Sequence, residues 1–314
     1  ERPGGQVRGA ETLHPQESWG SNGGFPKRGV MNDPLKRYRS RFRAWINGVK
    51  LRREMAAYAK AFAGRGLAVP DDRAVRLTMK ERLSGVVPKP KGALSIVSVY
   101  HHYNWEDGAF KPALGKFGTV RRHDWFRAFD HTDRNWRRTL KARMNRDLLE
   151  RIGQWVASER PDVIFTYLSG ELVYPETVRN LRSLGVPMIH LSLNDKEHFV
   201  GKIRGGLAFG SRDICRWFDL CWTSTEDALK KYCVEGALPV YLPEGANPEL
   251  HRPLDLQKSV DVSFVGQCYG NRPAIIRRLA AEGIRVEAFG YGWPNGPLST
   301  EEMVRLYAKS RINL

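Results

Sequence analysis

The chain has 314 residues, of which 41% are hydrophobic, and this is enough apolar material for the cores of two domains. Its formal net charge is +17, with 31 Lys or Arg against 15 Asp or Glu in residues 1–150 and 20 against 19 in residues 151–314. A basic half of this kind indicates a polyanionic neighbour or, equally, a solvated charged surface. No run of about 18 apolar residues exists, so the sequence predicts no transmembrane segment.

The first predicted elements are a tail and a basic helix. Residues 1–35 are rich in Gly, Pro and Ser and lack an apolar core, which predicts a flexible tail and no secretory signal. Residues 36–90 are predicted to form a basic helical extension, because Tyr38, Phe42 and Trp45 begin a stripe with helical spacing. Such a helix suits an anionic membrane surface, but packing of the stripe against the next domain is the interpretation we favour.

Residues 91–255 alternate short apolar runs with helical patterns, which predicts an α/β domain with a mostly parallel sheet. The predicted strands are Leu94–Tyr100, Asp162–Tyr167, Pro187–Leu193, Asp219–Thr223 and Val240–Leu242. The predicted helices are Arg134–Ala157, Pro175–Leu184 and a third from a cap at Ser224 or Thr225 to Val234. The glycine-rich stretch Gly201–Gly210 predicts a solvated loop, with a mobile loop over a cleft as the alternative.

Residues 256–314 begin a second α/β domain after a turn-rich linker. A strand from Val260 leads through a glycine-containing loop into a helix over Arg272–Glu282, and a strand near Ile284 precedes a helix over Ser299–Lys309. This is too little for a complete Rossmann-like domain, so the second domain is expected to be incomplete at its C-terminus. A boundary between two such domains predicts a cleft, which is the usual site of a nucleotide-bearing ligand.

Three phrases in fixed order carry a family resemblance: Pro243–Pro253, Phe264–Arg272 and Phe289–Trp293. Together they resemble the two-domain GT-B glycosyltransferases, in particular the spore-maturation-protein (CgeB-like) branch with its group 1 transferase domain. The likeness covers residues 158–314. It implies a nucleotide-sugar-dependent glycosyltransferase, in which residues 91–255 are the acceptor-side domain and residues 256–314 begin the nucleotide-sugar-binding domain.

The donor site is predicted from the glycine-rich ends of two strands. The loop Gly266–Gly270 lets backbone N–H groups approach a phosphate, and the helix that follows adds its positive end. The resemblance implies that Gly266 and Arg272 face the donor diphosphate and that Trp293 lies near the nucleotide base, with ordinary strand–helix turns as the alternative. The predicted donor-binding residues are Gly266, Gly270, Asn271, Arg272, Gly290 and Trp293.

The catalytic residues on the acceptor side are predicted to be His102 and Asp195. His102 leaves the first strand in a loop that also holds Glu106 and Asp107, where a general base would border the cleft. Asp195 follows the strand Pro187–Leu193 and best matches an Asp-Asp-Pro-like phrase of the family. A surface histidine and a helix N-cap are the respective alternatives. No ligand spacing of a standard metal site appears, so no metal is expected.

The implied partners are a nucleotide sugar and an acceptor hydroxyl on a glycan, a lipid-linked sugar or a protein. Residues 36–150 add a possible contact with a polyanion or an anionic membrane. Four cysteines without a paired motif indicate a reduced, cytoplasmic protein, with a peripheral position at the inner membrane face left open. Two alternatives remain: a nucleic-acid or anionic-membrane binding protein with a degenerate transferase domain, and a sugar-nucleotide epimerase on the same fold.

Overall fold

The computed structural model describes residues 34–101, 106–125 and 128–314. Within them, Arg43–His251 form one compact unit, and Arg252–Leu314 belong to a second. Each unit is built of helices and a parallel sheet, which confirms the predicted α/β class with Rossmann-like topology. None of the helices in the described part of the chain is long and apolar enough to span a membrane.

The first unit is organised around a six-stranded parallel sheet. The strands of the first unit, in chain order, are β1 (Leu94–Tyr100), β2 (Gly118–His123), β3 (Val163–Tyr167), β4 (Met188–Ser192), β5 (Ile203–Arg204), β6 (Leu207–Ala208), β7 (Leu220–Thr223) and β8 (Pro239–Tyr241). The order across the sheet is β2-β1-β3-β4-β7-β8, while β5 and β6 form a separate antiparallel hairpin. The strands predicted from the sequence are therefore confirmed, with ends shifted by a residue or so.

Helices connect these strands and cover the sheet. They are α1 (Pro34–Gly64), α2 (Asp72–Arg82), α3 (Glu106–Gly115), α4 (Lys141–Ser158), α5 (Pro175–Arg182), α6 (Asp195–His198) and α7 (Leu229–Val234). A π-helical turn, Trp136–Leu140, leads into α4. The predicted inner face of α4 is confirmed, because Met144, Leu148 and Ile152 repeat every four residues and are fully buried. Each contributes about 2 kcal/mol through burial.

The alternation of side chains along the strands divides the core between the two faces of the sheet. Val97 and Val99 of β1 pack in the cluster that contains the inner face of α4. Ile96 and Phe165 point to the opposite face, where Phe110 of α3 packs against them. The face that packs against α4 holds the larger buried cluster. The polar residues described below lie at the carboxyl ends of the strands.

Several elements differ from the sequence-based expectations. β2 was not predicted, because the exposed Arg121 and the paired Arg122 hide an edge strand that pairs with β1. Glu106 and Asp107, expected in a loop, begin α3. The loop expected within residues 201–210 is instead the β5–β6 hairpin, whose turn holds Gly205 at φ +55° and Gly206 at φ +79°.

The aromatic stripe predicted to pack on α1 is also corrected. Phe42 and Trp45 are 52% and 62% exposed. The packed face of the helix lies further along, where the Tyr58 ring meets Phe199 edge-on at 5.6 Å and its hydroxyl donates to Glu235 at 2.7 Å. The packed face within the first unit therefore includes Tyr58, which the predicted stripe did not contain.

Within residues 252–314, the second unit contains three parallel strands and two helices. These are β9 (Val260–Val265), α8 (Arg272–Ala281), β10 (Val286–Phe289), α9 (Thr300–Lys309) and β11 (Ser310–Asn313), with the strand order β10-β9-β11. Both predicted helices are confirmed, and α9 begins at a capping box in which Ser299 and Glu302 bond each other's backbone N–H. β11 was missed, because Ile312 is the one apolar residue among its four and such a segment gives no strand pattern.

Candidate functional site

A pocket of about 370 Å³ opens at the carboxyl ends of the strands in the first unit. From β1 the chain crosses to β2 on one side, whereas from β3 it proceeds to β4 on the other, so the strand order reverses between β1 and β3. Open α/β sheets bind ligands outside the carboxyl ends of the strands at such a point. The pocket lies there, since its lining includes residues that follow β1, β3 and β4, and its volume is in the range of small-molecule sites.

His101 forms part of the lining directly after β1 and is 1% exposed. Its ring meets His131 edge-on at 4.5 Å between centroids and Trp125 at 5.7 Å. Burial lowers the pKa of His131, although Glu171 and Asp130 act in the opposite direction. Burial therefore favours the neutral form of the His131 ring.

The predicted base His102 lies outside the described residues. Sequence reasoning missed its neighbour His101, and the signal that identifies it is the alternation along β1. His101 continues the series Val97 and Val99, whose side chains face the larger core cluster. The buried histidine that lines the pocket is therefore His101, the residue next to the predicted base.

Asp195, the other predicted catalytic residue, is buried at 1% exposure beneath the pocket. It accepts hydrogen bonds from Tyr232 Oη at 2.6 Å, from Ser211 Oγ at 3.3 Å and from Ser192 Oγ. Burial raises the pKa of Asp195, while these hydroxyl donors lower it. Ser192 and Ser211 line the pocket, so the carboxylate reaches the pocket through two hydroxyls that it orients. Its catalytic role stays a prediction, and Asn194 occupies the N-cap position of α6.

The buried Lys231 side chain bonds to the backbone of α6. Lys231 is 1% exposed, and its ammonium pairs with Glu54 of α1 at 2.7 Å. It also donates to the carbonyl oxygen of Lys196 at 3.0 Å, which satisfies backbone in the first turn of α6. The basic helix α1 thus positions one side of the pocket, a contribution that its sequence pattern does not reveal.

Backbone hydrogen bonds connect two loops of the pocket that lie far apart in the sequence. Gly170 N–H donates to the Gly210 carbonyl at 2.9 Å, and Glu171 N–H donates to the Phe209 carbonyl at 2.9 Å. A Cβ atom on Gly170 would lie 2.1 Å from the carbonyl oxygen of Ala208. Only glycine permits this approach, so the loops after β3 and β6 form one frame.

A third bond to the same loop comes from α4. Lys141 is buried, and its Nζ donates to the Gly170 carbonyl at 2.6 Å and lies 4.4 Å from the centre of the Tyr174 ring. Burial lowers the pKa of Lys141 to about 8, although Glu171 acts in the opposite direction. The loop that lines the pocket therefore rests on a buried cationic group.

In the second unit, two of the predicted glycines meet each other. The peptide of Gly266 donates to the Phe289 carbonyl at 2.8 Å and accepts the indole N–H of Trp293 at 2.8 Å. Gly290 has φ +126°, and a Cβ atom there would lie 2.3 Å from the Gly266 carbonyl oxygen. The structure thus brings Gly266, Gly290 and Trp293 together, with the Trp293 indole held by a hydrogen bond and by edge-on contact with Phe264.

The remaining predicted donor residues lie between β9 and α8. Gly270 has φ +65°, and Asn271 takes the N-cap position of α8 without a side-chain capping bond. The Arg272 guanidinium lies 4.5 Å from the centre of the Tyr269 ring and donates to the Gln267 carbonyl at 3.1 Å. The loop is thus ordered by its own side chains, and its role in phosphate binding stays a prediction.

Within residues 34–101, 106–125 and 128–314, no three His, Cys, Asp or Glu side chains converge so that they could hold a metal ion. The expectation that no metal is required stays a prediction, since it concerns the reaction as a whole.

Comparison with known proteins gives distant structural likenesses only. No protein-family model matches the chain, and no curated protein matches it in sequence. A UDP-GlcNAc 2-epimerase from Neisseria meningitidis bound to UDP-GlcNAc is 9% identical, covers 69% of this chain and 76% of its own, and has a TM-score of 0.42. A UDP-GlcNAc 2-epimerase from Methanocaldococcus jannaschii is 8% identical, covers 69% and 77%, and has a TM-score of 0.41. At this distance neither structure assigns a reaction to the chain.

Proposed function

We propose that the chain is a glycosyltransferase that moves a sugar from a nucleotide-sugar donor to an acceptor hydroxyl. The observation that supports this best is the pocket at the β1/β3 reversal of a parallel sheet, because this is where such sheets bind ligands. Hydroxyls of Ser169, Ser192 and Ser211 line it, and they can exchange hydrogen bonds with the hydroxyls of a sugar.

Transfer requires that the acceptor hydroxyl lose its proton as the new bond forms. In this proposal His102 or the pocket-lining His101 takes that proton. Asp195 orients Ser192 and Ser211 against the acceptor, since its carboxylate accepts from both hydroxyls. Correct placement of the acceptor contributes to rate by reducing the entropy lost on reaching the transition state.

The donor diphosphate is assigned to the loop Gly266–Arg272. The N–H groups of Gly266 and Cys268 already donate to the Phe289 and Tyr291 carbonyls, so the proposal relies on α8, which directs its positive end toward the same loop. Arg272 supplies a guanidinium that can bind two phosphate oxygens. Trp293 and Gly290 support the loop from the neighbouring strand end, and the bond to Gly266 fixes the orientation of the indole that would stack on the base.

The direct test is thermal unfolding of the full chain with UDP, GDP, ADP and CMP. A ligand present at 100 times its dissociation constant stabilises the folded state by about 2.7 kcal/mol, so one nucleotide is expected to raise the Tm selectively. Arg272→Ala is expected to abolish the shift. The matched control is Arg277→Ala on the exposed face of α8, which should leave the shift unchanged.

Two results would count against the proposal. Absence of a shift with every nucleotide contradicts the transferase function. Conversion of a nucleotide sugar in the absence of any acceptor indicates the epimerase alternative, because an epimerase needs no second substrate.

A further inference from the structure

Two arginine side chains from separate segments lie near one ring of the pocket lining, and a lysine belongs to the same lining. Phe209 lines the pocket, and its ring centre lies 5.0 Å from the Arg137 guanidinium carbon and 5.9 Å from that of Arg204. Lys202 is part of the same lining, two residues before Arg204. Arg137 comes from the π-helical turn before α4, so the cluster depends on the tertiary fold.

Acidic groups compensate this charge only in part. Glu171 is 3.8 Å from Arg137, and both side chains are 45% exposed, so the pair is weak. Within the described residues, no carboxylate oxygen lies within 4 Å of Lys202 or Arg204, whereas the neighbouring Arg212 is paired with Asp213 at 2.6 Å. This part of the pocket therefore carries cations that are not neutralised locally.

The loop beneath this cluster adds a fourth cationic group. Lys141 is buried and is satisfied by the Gly170 carbonyl and the Tyr174 ring, which are neutral partners. A buried cation without a carboxylate bonded to it creates a positive potential that low-dielectric surroundings screen weakly. Lys141 bonds to the loop that holds Ser169 and Glu171, which both line the pocket, and the Glu171 carboxylate offsets part of this potential.

We propose that the pocket binds a phosphorylated acceptor, with the phosphoryl group held by Arg137, Lys202 and Arg204. The proposal rests on the proposed function in calling the ligand an acceptor. A phosphate monoester carries close to two negative charges, and its oxygens accept charge-assisted hydrogen bonds from guanidinium and ammonium groups. The sugar ring then lies deeper, against the serine hydroxyls.

The test measures binding to the full chain by calorimetry, with glucose 6-phosphate, glucose, inorganic phosphate and UDP as separate probes. Glucose 6-phosphate is expected to bind at least about tenfold more tightly than glucose, because a hydrogen bond to a charged group contributes about 1.5–3 kcal/mol. Inorganic phosphate should compete with it. The double variant Lys202→Ala/Arg204→Ala is expected to weaken glucose 6-phosphate at least about tenfold while UDP binding is retained.

The matched control removes the same charge elsewhere in the same unit. Arg73→Ala/Arg76→Ala changes two exposed residues of α2, which packs near β8 at the far edge of the sheet. This control should change glucose 6-phosphate binding by less than about twofold, since charges beyond the screening length contribute little. Circular dichroism confirms that all variants are folded.

Four outcomes would overturn the proposal. The first two are equal weakening of glucose 6-phosphate binding in the variant and the control, and equal binding of glucose and glucose 6-phosphate. The other two are no binding of either sugar, and loss of UDP binding in the variant while glucose 6-phosphate binding is kept. The last would assign the cations to a donor diphosphate. If glucose 6-phosphate binds as expected while no nucleotide shifts the Tm, the transferase function is contradicted and the phosphate site is supported. If a nucleotide shifts the Tm while glucose 6-phosphate does not bind as expected, the phosphate site is contradicted and the transferase function is supported.

Discussion

Burial favours the neutral form of two polar residues near β4. His190 is fully buried, stacks on Phe218 with centroids 4.4 Å apart, and has Nδ1 3.0 Å from Thr166 Oγ1. Burial lowers the pKa of His190 to about 3 and raises that of Asp195. Asp195 has several hydroxyl donors around it, whereas the histidine ring lies mainly among apolar groups. Protonation of His190 in acid therefore opposes folding.

The stability of the first unit is expected to fall as the pH decreases through the range set by His190. At pH above about 6.5 the ring is neutral in both states, and between about 6.5 and 3 only the unfolded chain gains the proton. Each pH unit in this range then costs about 1.4 kcal/mol, which gives about 2 kcal/mol between pH 6.5 and 5. Urea unfolding at the two pH values measures the difference.

The variant His190→Leu should lack this part of the acid loss, because it removes the titrating ring and keeps the side chain apolar. Thr166 Oγ1 still donates to the Ile189 carbonyl in that variant. Phe218→Leu is the control, since it removes the stacking partner and retains the histidine. An acid loss in His190→Leu as large as in the unaltered protein would refute the assignment.

At the scale of elements, the site depends on loops that approach one another too closely for any side chain. Gly170 and Gly210 join the loop after β3 to the loop after β6 through paired backbone bonds. A Cβ atom on Gly210 would lie 1.8 Å from the His198 carbonyl oxygen. The glycines are therefore required by the contact between elements, and the sequence alone suggests only a flexible stretch.

Gly170→Ala is expected to destabilise the first unit by roughly 2–4 kcal/mol, because the new methyl group forces the loops apart and breaks their hydrogen bonds. Gly153→Ala is the matched control within α4, where an added Cβ meets nothing within 4 Å. It should stabilise the protein by about 0.5–1 kcal/mol through higher helix propensity. Urea unfolding distinguishes the two, and a Gly170→Ala variant as stable as the starting protein would show that the loops are not joined in this way.

Sequence patterns predicted elements well where one face is buried and poorly where charge interrupts the pattern. β1, β3 and β4 are apolar runs with β-branched residues, and all were found in place. β2 contains Arg121, which pairs with Glu159, and Arg122, which pairs with Asp107 and Asp124. An edge strand can carry such residues because one of its faces meets solvent, and this context is not visible in a local window.

For the whole molecule, the basic character of residues 1–150 predicts non-specific binding to polyanions. At 50 mM salt the full chain should bind duplex DNA, and binding should weaken at least about tenfold at 200 mM as counterion release loses its driving force. Titration of a labelled duplex at both salt concentrations measures this. A scrambled duplex is the control and should bind equally.

Two results would alter that picture. Discrimination between the two duplexes would favour the nucleic-acid alternative over a transferase with a basic surface. No binding at 50 mM salt would indicate that the charges of residues 1–150 are distributed too widely to act as a patch.

The sequence by itself determined the α/β class, most of the strands, the inner face of α4 and the glycine-rich turns of the second unit. These follow from periodicity and turn chemistry within about ten residues. Only the tertiary structure decided that Asp195 lies beneath the pocket, that His101 lines it, and that Arg137 and Arg204 lie near one ring of its lining. These relations join residues far apart in the chain, so they arise from the strand order and the packing of loops, which no local pattern contains.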